Sequence, residues 1–185
     1  MTKKDEIIMI AADLMHRYGY HNIGIKKILD TANIPKGSFY HYFESKEDLA
    51  IQVIDFHFSN FINALNQVED SVDGLKTFFD MFFCKSEGMD YVGGCPLGNL
   101  MLELADIKES FREHLLKGTL ATEQLITKKL EQDNLQHSLE TDMLGRLIFQ
   151  SFEGTLMKAK IEKNSNAFED FRKFIFDFLL VEIRK

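Results

Sequence analysis

Apolar residues along this chain recur at three- and four-residue spacing from one end to the other, and stretches of strict alternation are few, so the pattern predicts an all-α protein. Ile7, Ala11, Leu14, Met15 and Tyr18 form the stripe of a first amphipathic helix that Gly19 ends. Ile25, Ile28, Leu29 and Ala32 give a second, short helix over 25–31, followed by a tight turn at Asn33 and Ile34. Pro35 then opens a third helix, because a proline in the first turn gives up no intrahelical hydrogen bond. A long helix follows over 45–67 through Leu49, Val53 and Phe56, with Ser45 and Asp48 in the arrangement of a capping box. Residues 71–84 give another helix, with Leu75, Phe78, Phe79, Phe82 and Phe83 apolar, and 88–94 is a loop. The remaining helices are expected at 96–105, 108–134, 138–161 and 167–184.

Two short helices joined by so tight a turn form a helix-turn-helix, whose second helix presents its N-terminal residues to the major groove of DNA. The residue types at 36–46 suit that task. Gly37 lets backbone approach a phosphate, and Ser38 donates to a phosphate or a base edge. Tyr40 and Tyr42 carry hydroxyls for phosphate oxygens and rings for sugars or a thymine methyl group, with His41 between them. Lys36 and Lys46 supply charge at the groove edges. Phe39 and Phe43, four apart, face inward and seat the helix on a small core.

The stretch from Gly19-Tyr20 to Leu49 resembles the TetR/AcrR family of one-component transcriptional regulators. Lys36-Gly37-Ser38-Phe39-Tyr40-His41-Tyr42-Phe43, followed by Ser45-Lys46-Glu47-Asp48-Leu49, is similar to the family's recognition helix and the start of its connecting helix, in order and without gaps. One departure stands out. Where the family has Thr or Ser opening the first helix of the motif, this chain has Ile23-Gly24, so the cap must come from the weaker Gly24. A backbone amide at that positive helix end still suits a phosphate, and Lys26 and Lys27 offset the loss. The resemblance implies an N-terminal three-helix helix-turn-helix domain over 1–60. The long helix would join it to a helical effector-binding and dimerisation domain over 61–185. It also implies a homodimer on an inverted-repeat operator of double-stranded DNA, and repression relieved by a small-molecule effector.

Charge divides in the sense such a reading requires. The chain carries −7 overall, but residues 1–46 hold seven Lys or Arg against five Asp or Glu, a balance of +2, leaving 15 against 24, or −9, for the rest. That asymmetry turns the N-terminal end toward phosphate. No apolar run approaches the roughly 18–20 residues that span a bilayer, and the first residues lack a signal-peptide layout, so a cytoplasmic protein without membrane partners is expected. In that compartment Cys84 and Cys95 are reduced thiols.

The last two helices carry more apolar surface than one face of a monomer needs. Leu144, Leu147, Ile148 and Phe152 on one, with Phe171, Phe174, Ile175 and Phe178 on the other, are the candidate dimer interface. The resemblance places an effector pocket among the connecting helix and its neighbours, for which Phe56, Phe61, Phe78, Phe82, Phe149 and Phe152 supply an apolar, aromatic lining. Cys95 and Asn99 join that set. Gly94-Cys95-Pro96-Leu97-Gly98-Asn99-Leu100 is similar to a signature in a branch of the family that includes electrophile and redox sensors, among them the N-ethylmaleimide reductase repressor. Pro96 at a first helical position puts Cys95 near the N-cap, where the helix dipole favours a thiolate. Cys84, toward the end of an apolar helix, is expected to be buried and inert. The competing reading makes Cys95 a small buried hydrophobe. The histidines and cysteines lack metal-site spacing, and no phosphate loop, nucleophile elbow or zinc-protease motif is present, so neither cofactor nor catalysis is expected. A cysteine-dependent enzyme on a helical scaffold and a helical interaction protein are the rival readings.

Overall fold

The computed structural model describes residues 2–133 and 139–180, and every regular element among them is helical. In chain order these are α1 (Lys3–Tyr18), α2 (Ile25–Thr31), a 3₁₀ segment (Lys36–His41), α3 (Lys46–Gln67), α4 (Val72–Gly88), α5 (Pro96–Leu104), α6 (Glu109–Glu131), α7 (Thr141–Glu162) and α8 (Asn166–Arg172), which continues in π-helical geometry over Lys173–Leu179. The expected helix ends at Asn134, Ser138 and Arg184 lie outside the described residues.

Two elements differ from the sequence expectation. The third element is 3₁₀ rather than α, and Pro35 stands before it in an extended conformation instead of inside its first turn. Six residues with Gly37 at the second position are too short, and too permissive in backbone, to sustain α hydrogen bonding by themselves. Helix α4 runs one turn past Cys84 to Gly88 and stops where Asp90 and Tyr91 take left-handed backbone angles.

The capping chemistry fixes where the helices begin. Thr2 and Asp5 exchange side-chain-to-backbone hydrogen bonds as a capping box at the start of α1. Ser45 Oγ accepts from the Asp48 amide at 3.1 Å, and the Asp48 carboxylate accepts from the Glu44 amide at 2.9 Å, closing the start of α3. Ser71 accepts from the Gly74 amide ahead of α4.

The chain divides into two compact units that do not follow it as consecutive stretches: Met1–Asn60 with Pro96–Gly118, and Phe61–Cys95 with Thr119–Lys185. The first buries Ile7, Ala11 and Met15 of α1, Ile28 and Leu29 of α2, Phe39 and Phe43 around the 3₁₀ segment, and Leu49 and Val53 of α3. Helices α5 and α6 and the connection between them tie into it through polar links. The His21 amide donates to Glu103 at 3.2 Å, Lys108 pairs with Glu47 at 2.7 Å, and His114 meets Asp55 at 2.8 Å. The second unit is a phenylalanine core, with Phe78, Phe79, Phe83, Phe152 and Phe168 fully buried. Helix α7 packs on α8, and α4 packs on α7.

Gly118 of α6 sits against the Phe58 ring so closely that an added Cβ would lie 2.2 Å from a ring carbon. Gly118→Ala should therefore cost about 1–3 kcal/mol in urea unfolding despite alanine's better helix propensity. The loss should shrink in a Phe58→Leu background, and a stabilised Gly118→Ala would contradict this packing.

Candidate nucleic-acid interface and effector site

The helix-turn-helix is built from small parts that separate what is buried from what is shown. Asn33 adopts φ 53°, and the Ile34 amide closes back on the Leu29 carbonyl at 3.0 Å, producing the tight turn between α2 and the 3₁₀ segment. Phe39 and Phe43 are buried with ring centroids 5.4 Å apart, and the Lys4 ammonium lies 5.4 Å from the Phe43 ring. Their burial turns the neighbouring residues outward. Tyr40 is 72% exposed, His41, Gly37, Gly24 and Lys27 are exposed, and Ser38 and Tyr42 are half-buried. The Lys36 side chain lies outside the described part of the structure. Gly24 is the N-cap of α2 with no side-chain cap, and nothing lies within 4 Å of where its Cβ would be.

Two lysines behave differently from the sequence expectation. Lys46 is turned inward: its ammonium donates to the Tyr20 carbonyl at 2.6 Å and lies 4.0 Å from the centre of the Tyr20 ring. Burial lowers the Lys46 pKa, with the Glu103 charge opposing that effect. Its charge holds the unit together and is not free at a groove edge. Lys26 is exposed but pairs with Asp30 at 2.5 Å.

The aromatic set assigned to an effector pocket is partly assembled. Within the second unit the Phe61 ring lies 4.7 Å from Phe78, 4.8 Å from Phe82, and 5.8 Å from both Phe149 and Phe152. Phe61, Phe78, Phe149 and Phe152 are buried and Phe82 is half-buried, so these rings form a core. Phe56 and Asn99, both half-buried, belong to the other compact unit. Cys95 belongs to the second unit, immediately ahead of α5 as expected.

The structure overturns the expected burial of Cys84 and agrees with the reading of Cys95 as a small buried residue. Cys84 is exposed and Cys95 is buried, with 7% of its surface accessible. The helical face carrying Phe79 and Phe83 takes the core side of α4, which leaves Cys84 outside. The Cys95 thiol lies 3.6 Å from the Glu153 carboxylate as donor, so its identified neighbour is an acid, which works against a thiolate. Burial raises the Glu153 carboxyl, the Cys95 hydrogen bond pulls it down, and the Glu123 charge adds to the rise. Sequence reasoning missed Glu153, because a glutamate between apolar helical positions reads as a solvated face.

The expected dimer residues also divide. Leu144, Ile148, Phe152, Phe171 and Ile175 are buried inside the chain, a correction to their assignment as interface. Leu147, Phe174 and Phe178 are exposed, and so are Met143, Met157 and Ile161.

Two family models match the chain. The model described as bacterial regulatory proteins, tetR family, covers residues 7–53, and that of the LmrA/YxaF-like transcriptional regulator C-terminal domain covers 71–174. The chain belongs to the TetR family. The transcriptional repressor DhaR of Mycobacterium sp. (strain GP1) is 30% identical over 88% of this chain and 84% of its own length. The repressor NemR of Escherichia coli (strain K12) is 24% identical over 90% of this chain and 88% of its own. The solved regulatory protein TetR from Rhodobacter sphaeroides superposes with a TM-score of 0.81 at 26% identity, over 92% of this chain and 95% of that one. As a TetR-family protein the chain is a DNA-binding transcription regulator and not an enzyme. No helix among the described residues is long and apolar enough to cross a membrane.

The environments of the two thiols set an order of reaction. Iodoacetamide should label Cys84 well ahead of Cys95 in the folded protein, followed by mass spectrometry over time. Faster labelling of Cys95 would contradict the burial described above.

Proposed function

We propose that this TetR-family chain is a repressor that holds an inverted-repeat operator as a homodimer and releases it when a small apolar molecule binds its C-terminal unit. The observation that carries the DNA-binding half is the Tyr40 ring, left 72% in solvent while Phe39 is wholly buried, with Gly37, His41, Gly24 and Lys27 exposed as well. A large aromatic residue held out by a rigid neighbour is a contact surface awaiting a partner. Lys27, Lys36 and, after giving up Asp30, Lys26 supply phosphate contacts. Ser38, Tyr42 and the Gly24 amide add neutral ones.

For the dimer, the exposed residues Met143, Leu147, Met157 and Ile161 recur on one line of α7, and Phe174 and Phe178 stack with centroids 6.2 Å apart. Two copies of such a surface make an isologous interface and place two reading heads on two half-sites. The effector acts through α3, which begins at Lys46 and carries Phe61 near its far end. It can shift the protein only by its different affinity for the two reading-head spacings, so effector and operator weaken each other by one factor. An electrophile acting at Cys95 is the slower alternative route, since it must first reach a buried sulfur.

Titrating operator duplex at several salt concentrations tests this reading. With three cations per subunit, and half to all of them at phosphates, log affinity should fall against log salt with a slope of about −3 to −5. Lys27→Ala should flatten the slope, whereas Lys46→Ala should leave it alone and lower the melting temperature. Phe174→Glu with Phe178→Glu should sediment as a monomer and lose the operator. Salt-independent binding, or a monomeric variant that still binds tightly, would contradict it.

A further inference from the structure

Helices α6 and α7 of the C-terminal unit approach each other so closely at Gly145 that a Cβ there would lie 2.3 Å from Thr127 Oγ1. Beside this contact runs an open groove of about 340 Å³, lined by Leu120, Glu123, Thr127 and Glu131 of α6 and by Asp142 and Arg146 of α7. Most of its charges are neutralised locally. Arg146 donates to Asp142 at 2.7 Å, and Lys128 on the rim lies 3.8 Å from Asp70. Glu123 and Glu131 form no ion pair with a described residue, and of the two only Glu123 is buried. The Glu123 residue surface is only 8% accessible, and its carboxylate opens to the groove with no hydrogen bond among the interactions that shift its titration. Arg146 acts on it only as a charge at a distance. A carboxylate that keeps only a narrow opening to water and has no protein donor gains from a cation able to supply N–H groups through that opening. In keeping with this, burial raises the Glu123 carboxyl above its ordinary range and Arg146 only partly restores it.

We propose that this groove is a ligand site for a small aliphatic ammonium, with the Glu123 carboxylate as the acceptor, Thr127 as a second polar contact and Leu120 beside the alkyl chain. The site is separate from the aromatic core around Phe61 and does not depend on an apolar effector binding there. Its acids, Glu123, Glu131 and Asp142, outnumber its bases, Lys128 and Arg146, which selects a cation over an anion. The arrangement also selects against a neutral isostere, which would leave the carboxylate without a charged partner.

Isothermal titration of the full-length protein with n-butylammonium, using n-butanol as the uncharged control, tests the assignment. The amine should bind with a dissociation constant on the order of 1 mM, suited to a fragment of this size, and the alcohol should not. Glu123→Gln should weaken the amine about tenfold or more while melting no lower than the parent. Arg146→Met removes the competing cation and should strengthen binding, a change of opposite sign that a merely damaged fold would not give. Equal binding of amine and alcohol, or amine binding unchanged by Glu123→Gln, overturns the proposal. So does the absence of amine binding, including the case in which a second copy of the chain covers the groove and Glu123→Gln shifts the oligomeric state instead.

Discussion

The C-terminal unit is organised around one buried ammonium. Lys129 of α6 is 1% exposed, and its Nζ donates to the carbonyls of Val68 and Glu69 and to the Asp70 carboxylate, at 2.9, 3.0 and 2.7 Å. A charge removed from water costs several kcal/mol unless its donors are filled, and these three acceptors fill all of them. They also belong to the stretch just after α3, where the helix dipole presents its negative end and carbonyls lack intrahelical partners. Satisfying the lysine therefore fixes where α3 stops against α6. The hydrogen bond and charge of Lys129 hold the Asp70 carboxyl below its ordinary range. The tight turn that follows depends on Gly74, whose Cβ would lie 2.1 Å from the Glu69 carbonyl oxygen, and on Asp133, which accepts from the Val72 amide at 2.7 Å. Only then can α4 set Phe78, Phe79 and Phe83 into the core.

The N-terminal unit solves a different problem with similar economy. A reading surface needs large polar and aromatic groups in solvent, held by something that does not move. Here rigidity comes from Phe39 and Phe43 inside and from Lys46 clamped on Tyr20, which leaves Tyr40 outside with only its edge-to-face contact on Phe39, centroids 5.3 Å apart. Using Lys46 for structure lowers the charge available for phosphate, and Gly24 in place of a hydroxyl cap removes a side-chain contact at α2.

Much of this was legible in the sequence, and the part that was not has a common cause. The helix-turn-helix was readable because its residues are constrained by local geometry: Gly19 at a helix end, Asn33 in a left-handed turn, and Phe39 and Phe43 four apart. Local periodicity could not show which apolar residues of the last two helices face the chain itself. Leu144 and Leu147 look equivalent along the sequence, yet only Leu144 is buried, because the choice depends on where α8 lies. Cys84 and Cys95 were assigned by position along their helices, whereas burial was decided by which face of α4 met the core. Glu123, Glu153 and Lys129 gave no signal at all, since a charged residue on a helix reads as solvated until its neighbours in space are known.

The central claim is that the face from Gly24 to Tyr42, presented twice by a symmetric pair, reads duplex DNA. Nuclease protection of the DNA flanking this protein's own gene tests it most directly. The account predicts a protected inverted repeat whose half-sites lie one helical turn or a multiple of it apart, with protection lost when Tyr40 and Lys27 are both changed to Ala in a folded dimer. No protected repeat, or protection that survives those substitutions, would contradict it.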